Sequence, residues 1–525
     1  MSRLTAPTAV AVAPDRRLYV AEKAGKVLTA MPRQRPRLLL DISQHVNDFS
    51  DRGLLGIALD RDFARNGYLY LLYSYEPDPR AQISSHPVTS VLTRVTVRNG
   101  RNGPRSLGRN PGERAILGAS GRYALCGEPS NRLDCLPAVS ETHTGDTVRV
   151  DPRDGTLWVS NGDGAGDSAP DPLAFYASND ESYAGKVLHV DRNGRGLPGH
   201  AFCPSDHVLT DVCTKVYAGG FRNPFRFTLD PATGALYAAD VGWFQYEELD
   251  RVVAGADYGW PCYEGALPDG SVFHTPGYRF LAECQQLYQG ERDRFHPIPT
   301  QPMLTYFHDR SSAIVAGPRY RGSAFPAAYR GVLFYGDFDR AWMRYVRLDR
   351  AGRVVGSPHP FASSWYGVDL QQAHDGGLVY VDLPDGVVRE VVFAPRQPVP
   401  RARPTGSPRS GRVPLTVSFN AHASEPGGAA VFCFWNFGDG HTASGCKPRH
   451  TFRRAGRYRV SLHVSDGIKG RDRSVLVAAS PPPTGAAMRG RRPAERAVEL
   501  QASPARHAQA EGSFAVPPLR EARSG

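Results

Sequence analysis

One short phrase, a turn followed by an apolar strand, recurs six times between Leu18 and Tyr380 and limits what this chain can fold into. The copies are centred on Leu18-Tyr19-Val20, Leu69-Tyr70-Leu71, Leu157-Trp158-Val159, Leu236-Tyr237-Ala238, Leu333-Phe334-Tyr335 and Leu378-Val379-Tyr380. Turn residues precede each: Pro14-Asp15, Arg65-Asn66-Gly67, Asp154-Gly155, Thr233-Gly234, Arg330-Gly331 and Asp375-Gly376. An apolar strand after a Gly or Asn turn is one arm of a β-hairpin, because the turn residue takes positive φ without a Cβ clash. A lone hairpin cannot bury its face, so repeated hairpins stack. The expected fold is all-β, a six-bladed β-propeller around a central channel. The repeats are unevenly spaced, which places long insertions between blades, and loops on a rigid scaffold carry binding groups.

Composition agrees with a turn-rich β protein: 54 Gly and 44 Pro in 525 residues. The net charge of +11 comes from scattered Arg, with no basic run interleaved with aromatics. No nucleic-acid partner is therefore expected. No apolar stretch reaches the ~18 to 20 residues a membrane span needs. The eight Cys fall into four close pairs, Cys126/Cys135, Cys203/Cys213, Cys262/Cys284 and Cys433/Cys446, none with Cys-x-x-Cys spacing. Local disulfides in a secreted, extracellular protein are the reading that fits. The chain opens Met1-Ser2-Arg3-Leu4 and enters a blade strand at Pro7 to Val12, with no signal peptide ahead of it. A truncated start is expected, and with it a final blade, built from Phe361 to Val392, that lacks an N-terminal strand and exposes an edge.

The propeller is expected over 1–394, followed by a Pro-rich linker over 395–402. A second module at 403–480 alternates apolar and polar residues in Leu415 to Phe419, Phe432 to Phe437 and Tyr458 to Val464, the period of a small β-sandwich. Its motifs Val413-Pro414-Leu415-Thr416-Val417-Ser418-Phe419, Trp435-Asn436-Phe437-Gly438-Asp439-Gly440, Thr451-Phe452 and Ala455-Gly456-Arg457-Tyr458 closely resemble the PKD (polycystic-kidney-disease) domain family. That resemblance implies an extracellular spacer or adhesion module that contacts protein or polysaccharide. Residues 481–525, rich in Pro, Arg, Ala, Glu and Ser, have too little apolar surface to fold and are expected to be disordered.

Two constellations carry chemistry. The turn at Asp154-Gly155 folds two strands together, so His143, just before one strand, and Asp163, just after the other, can meet. A His oriented by a carboxylate is a general base; the plain alternative is a His that satisfies a backbone group. Gly220-Phe221-Arg222-Asn223-Pro224-Phe225-Arg226 precedes the fourth repeat strand, and Asp240-Val241-Gly242-Trp243 follows it. Arg222 can stabilise an oxyanion or bind carboxylates as a planar fork, or simply hold carbonyls between blades.

Several ordered motifs across residues 4 to 392 resemble the soluble glucose/sorbosone dehydrogenase family. They are Asp51-Arg52-Gly53-Leu54-Leu55-Gly56, Asn66-Gly67-Tyr68-Leu69-Tyr70, His143, Gly162-Asp163-Gly164, Gly185-Lys186-Val187-Leu188, Arg222-Asn223-Pro224, Asp240-Val241-Gly242 and Tyr258-Gly259-Trp260-Pro261. The resemblance implies a six-bladed propeller that uses pyrroloquinoline quinone (PQQ) and Ca²⁺ to oxidise an aldose or oligosaccharide at the anomeric carbon, passing electrons to an external acceptor. It further implies His143 as base, Asp163 as its support, and Arg222 and Asn223 as quinone contacts. Asp51 falls at a sugar-facing position, Arg321 at a position that binds a cofactor carboxylate, and Arg340 as a second candidate for that task. Backbone carbonyls of Gly242 and Trp243 correspond to the calcium loop, where the family pattern reads Gly-Pro, so Trp243 is a departure. The His143-Thr144-Gly145 turn is also shorter than the family spacing. His143, Asp163, Arg222 and Arg321 are together expected at one end of the channel. Two other readings compete with the enzyme: a non-catalytic propeller that binds glycans or protein, and a calcium-dependent lactone hydrolase. The last needs Asp, Asn or Glu side chains converging on the channel, and no such set stands out in matching loops.

Overall fold

Each of the six repeat phrases becomes the second strand of its own antiparallel sheet. The computed structural model describes residues 1–100, 103–109, 111–118, 134–203, 207–266, 272–289, 299–308, 311–391, 399–424, 431–465 and 470–481. Among them, Leu18–Glu22, Tyr68–Tyr75, Leu157–Asn161, Leu236–Asp240, Leu333–Asp337 and Leu378–Asp382 each pair with a preceding inner strand. Those inner strands are Pro7–Val12, Leu54–Leu59, Gly145–Val150, Arg226–Leu229, Ile314–Arg319 and Gly367–Gln372, and they define blades 1 to 6. Each inner strand packs against the next, and that of blade 6 returns to blade 1, so the sheets close into a propeller.

Strand alternation explains why the repeat phrase is apolar throughout. Successive side chains point to opposite faces, and in a propeller both faces of a blade are covered by neighbours. Leu157 and Val159 pack toward blade 2 with Tyr70 and Leu92, whereas Trp158 between them packs toward blade 4 with Phe227 and Leu236. One cluster of buried apolar residues lies between each neighbouring pair of blades, including blade 6 against blade 1 through Val10, Val20, Val368 and Val381, and a further cluster around Trp243, Trp260 and Tyr278 packs the blade 4 insertion. The turn glycines Gly67, Gly155, Gly234, Gly331 and Gly376 all have φ between +67° and +86°; in blade 1 Arg16 takes that place at +70°.

One boundary differs from expectation: blade 6 begins at Gly367, since Val354–Ser363 is the outer strand of blade 5. Its sheet has three strands where those of blades 1, 3, 4 and 5 have four, in line with the expected missing strand, and Met1 pairs with Val388 through two backbone hydrogen bonds, 2.9 and 2.8 Å.

The channel is crossed by side chains. Arg226 of blade 4 donates to the carbonyls of Val368, Asp146 and Thr8, in blades 6, 3 and 1. Arg149 reaches across from blade 3 to Asp369 of blade 6 at 2.7 Å. An insertion in blade 4 adds the hairpin Tyr263–Ala266/Val272–His274 and the helix Ala282–Tyr288, tied by the Cys262–Cys284 disulfide.

The second module is a sandwich. Thr405–Ser407, Leu415–Asn420 and Arg449–Phe452 form one sheet, and Ser410–Arg412, Phe432–Asn436, Thr442–Ser444, Gly456–Ser465 and Gly470–Ser480 the other. Trp435, Phe419 and Phe437 fill its core. Cys433–Cys446 closes the hairpin that carries Trp435, and Cys203–Cys213 is also bridged. The fourth expected pair, Cys126/Cys135, is seen from one side only. Cys135 is buried just before the short strand Leu136–Ala138 of blade 2 and is disulfide-bonded. Its expected partner Cys126 lies outside the described residues, as do 395–398 of the linker and 482–525 of the tail. No helix among the described residues is long and apolar enough to cross a membrane.

Candidate active site

Antiparallel geometry places the start of an inner strand and the end of the second strand at the same face of a blade. Most chemistry-bearing residues gather there, around a cavity of about 860 Å³. His143 stands just before the inner strand of blade 3, Asp163 just after the second. The His143 imidazole Nδ1 lies 2.7 Å from Asp163 Oδ1, with both side chains buried. Asp163 is itself held: its Oδ2 accepts from the Trp260 indole at 2.7 Å and its Oδ1 from the Ala165 amide at 3.0 Å. With Nδ1 facing the carboxylate, Nε2 is the nitrogen left for a substrate. His143 adopts φ +53°, a conformation uncommon outside glycine. Gly162 abuts its backbone, and a Cβ there would fall 2.6 Å from the His143 carbonyl.

Arg222 and Asn223 precede the inner strand of blade 4. Their amides donate to Asp240 at 2.9 and 2.6 Å, which turns the Arg222 side chain into the cavity. One terminal guanidinium nitrogen donates to the carbonyls of Val241 and Gly242, at 2.8 and 2.7 Å, and the fork lies over Trp260. Among the described residues, Asn223 Oδ1 is buried without a partner. Asp51 also lines the cavity.

Arg321 does not join them. It follows the inner strand of blade 5 and therefore sits at the turn face, where it binds Asp230 of blade 4 at 3.0 and 2.5 Å. With Arg319 it neutralises an aspartate that caps the turn of blade 4. Arg340 is at the cavity end of blade 5, but it stacks over Tyr306 and donates to the Phe307 carbonyl, away from the lining. Among the described residues, the Lys and Arg side chains lining the cavity are Lys23, Arg222 and Arg226. Lys23 donates to the Asp48 carbonyl at 2.6 Å, and burial lowers its pKa.

Aspartates meet here that showed no common signal in the sequence. Asp51, Asp146, Asp167 and Asp339 line the cavity. Asp146 is fully buried, its Oδ2 unpartnered among the described residues, and burial drives its pKa well above the ordinary carboxylate value, with further contributions from Asp51, Asp240 and Asp163. Asp240 is pushed up to about 7, again chiefly by burial. Aspartates from separate blades thus line one cavity, brought together by ring closure. His308, oriented by buried Glu247 at 2.6 Å, and Trp260 were also without assigned roles in the sequence, because their partners lie 61 and 97 residues away.

The residues present fit calcium poorly at Gly242 and Trp243. Calcium binds oxygen ligands at about 2.3 to 2.6 Å, whereas the Gly242 carbonyl already holds the Arg222 guanidinium. Trp243 is buried against Trp260 and Tyr278, with its indole donating to the Asp167 carbonyl. A polar, planar quinone fits better. The Nε and second terminal nitrogen of Arg222, the orphaned Asn223 Oδ1 and the Lys23 ammonium offer donors and an acceptor on a cavity of ample size.

The glucose/sorbosone dehydrogenase family model matches residues 4–101 and 133–387. The chain belongs to that family. A PKD domain model matches residues 397–478. Quinoprotein glucose dehydrogenase B of Acinetobacter calcoaceticus is 25% identical over 280 residues, covering 52% of this chain and 54% of that protein. The HIPL1 protein of Arabidopsis thaliana is 24% identical over 319 residues, covering 55% of this chain and 43% of the plant protein. The chain thus spans about half the length of these relatives. Among solved structures, the PQQ-bound aldose sugar dehydrogenase of Streptomyces coelicolor aligns with a TM-score of 0.51 at 17% identity, covering 73% of this chain and 90% of its own. The soluble aldose sugar dehydrogenase of Escherichia coli gives 0.54 at 17%, covering 75% and 97%. At such identities the shared property is the propeller fold.

Proposed function

We propose that this family member is a secreted oxidoreductase that oxidises the anomeric carbon of an aldose, with PQQ as the bound acceptor. The observation that carries the reading is the His143–Asp163 pair at the cavity, with Arg222 on the same lining. His143 Nε2 takes the proton of the anomeric hydroxyl. Asp163, fixed by Trp260 and the Ala165 amide, holds the imidazole in the tautomer that leaves Nε2 free and offsets the charge it acquires. Arg222, held by two carbonyls, presents its remaining N–H groups where negative charge develops. When bound, the quinone supplies two-electron acceptor chemistry; an external acceptor then takes the electrons. In this reading Asp51, on the lining, contacts the sugar, and the Lys23 ammonium, also on the lining, pairs with the cofactor's acidic groups. The PKD module is proposed to contact extracellular protein or polysaccharide.

The test is dye reduction by the full chain supplied with PQQ, with and without Ca²⁺, across a panel of aldoses. His143→Gln is expected to lower kcat about 10²- to 10⁴-fold. No dye reduction with any aldose under either condition rejects the enzyme. A second reading, a propeller that binds glycans without redox chemistry, draws on the placement of Arg321 and Arg340, both engaged away from the cavity. Sugar binding without turnover is its signature.

A further inference from the structure

The sandwich holds a set of metal-type donors that the proposed chemistry does not use. The turn Gly438-Asp439-Gly440 joins Phe432–Asn436 to Thr442–Ser444, and the Phe437 amide closes it on the His441 carbonyl at 3.0 Å. His450 comes from Arg449–Phe452, a strand of the opposite sheet. Asp439 lies between the two imidazoles. Its Oδ1 is 3.3 Å from His441 Nδ1, and its Oδ2 is 2.6 Å from His450 Nε2. One donor atom from each of the three residues lies within 4.8 Å of the other two. The His450 ring is clamped, stacked on Phe437 at 4.0 Å and edge-on to Phe452 at 4.7 Å, which fixes Nε2 toward the carboxylate. His441 is the movable member, its side chain 73% exposed. Burial opposes the Asp439 charge, but hydrogen bonds with His450 and the His441 amide outweigh it and hold its pKa below the usual value.

Two imidazoles and a carboxylate are ligands that zinc takes, at about 2.0 to 2.2 Å. Around a tetrahedral ion such atoms stand roughly 3.3 Å apart, so the gap between His450 and Asp439 need open by less than about 1 Å while the exposed His441 turns in. Water fills the fourth position. Calcium takes about six to eight oxygens, and this set brings one carboxylate. The plain alternative is a polar clasp that holds the turn. A clasp accounts for the short His450–Asp439 bond, but it gives the exposed His441 imidazole no task. We propose that Asp439, His441 and His450 form a zinc site that staples the two sheets of the sandwich. The ion ties the turn of one sheet to a strand of the other, and the site stands independently of the sugar chemistry in the propeller.

Calorimetric titration with Zn²⁺ of the full chain, freed of metal by dialysis against chelator, tests it, with Ca²⁺ and Mg²⁺ as controls. Zn²⁺ should bind at least about 100-fold more tightly than either control, because imidazole ligands suit it and not them. Hydrogen exchange should slow at 437–444 and 449–452 when Zn²⁺ is added, since the ion joins those segments. His441→Ala should weaken Zn²⁺ binding at least about tenfold, given that losing even an outer partner of a ligand costs about 10- to 100-fold. Because the side chain is exposed, the same substitution should leave the melting temperature of the metal-free chain in place. His441→Asp, which returns a ligand, should regain part of the affinity. His450→Gln should bring the same loss from the other sheet, with a thermal melt to check that the variant folds. Absence of Zn²⁺ uptake overturns the site, as does exchange that Zn²⁺ leaves unchanged at 437–452. Uptake that survives both His441→Ala and His450→Gln places the ion at other imidazoles and overturns it too. Ca²⁺ binding as tight as Zn²⁺ overturns the zinc assignment.

Discussion

Asp163 touches three partners, and each makes a different demand on it: the His143 imidazole, the Trp260 indole and the Ala165 amide. Asp163→Asn keeps the shape but replaces an acceptor oxygen with a donor, which opposes the indole N–H or turns the imidazole to the wrong tautomer. Under the proposed mechanism kcat should fall about 100-fold or more with little change in KM, measured by steady-state dye reduction. Away from the cavity, His189 is stacked on Trp158 at 3.7 Å and burial depresses its pKa to about 4. Its unfolded value is about 6.5. The unfolded chain therefore binds the extra proton first as pH falls, so the stability from neutral His189 is present above about pH 6.5 and is lost progressively toward pH 4. His189→Phe, which keeps the stack, should flatten the melting temperature across that window, as seen in thermal melts between pH 7 and pH 4.

At the scale of elements, the loop after the second strand of blade 4 is shaped by one carboxylate. Glu264 Oε1 accepts the amides of Trp243, Phe244, Gln245 and Tyr246 at 2.7 to 3.3 Å. Four N–H groups converge on one buried charge, and the loop carries both the Gly242 carbonyl and the Phe244 ring to the cavity. Glu264→Ala leaves those donors unpaired and should cost about 3 kcal/mol. Hydrogen exchange should quicken at 243–246, and Glu264→Gln should be milder than Glu264→Ala. Unchanged exchange in Glu264→Ala removes this account of the loop. The hairpin logic was readable here from Leu236-Tyr237-Ala238 and its Thr233-Gly234 turn. The carboxylate was not, because it arrives from an inserted hairpin with no period of its own.

The whole molecule is held by apolar seams between blades and by Arg226, which reaches three other blades from the channel. Its guanidinium is fully buried, and burial lowers its pKa to about 10. Arg226→Met conserves length but strands the carbonyls of Val368, Asp146 and Thr8, and should cost about 3 to 5 kcal/mol. Urea unfolding should show a lower midpoint at constant slope; a midpoint unchanged in the variant argues that the seams alone close the ring.

Much of this architecture was legible in the chain itself, because strand periodicity and turn chemistry are local. Six turn-strand phrases specified the sheets, close Cys spacing the Cys203–Cys213, Cys262–Cys284 and Cys433–Cys446 bridges, and one hairpin turn the meeting of His143 with Asp163. Arg321 shows where such reasoning stops. Its motif resemblance pointed to the cavity, but a residue after an inner strand lies at the turn face, and Asp230 of the neighbouring blade holds it there. Tertiary structure alone decided the cavity's electrostatics. Lys23, Asp51, Asp146, Arg222 and Asp339 come from different blades, and only closure of the ring, driven by burial of apolar seams, brings their charges into one low-dielectric space.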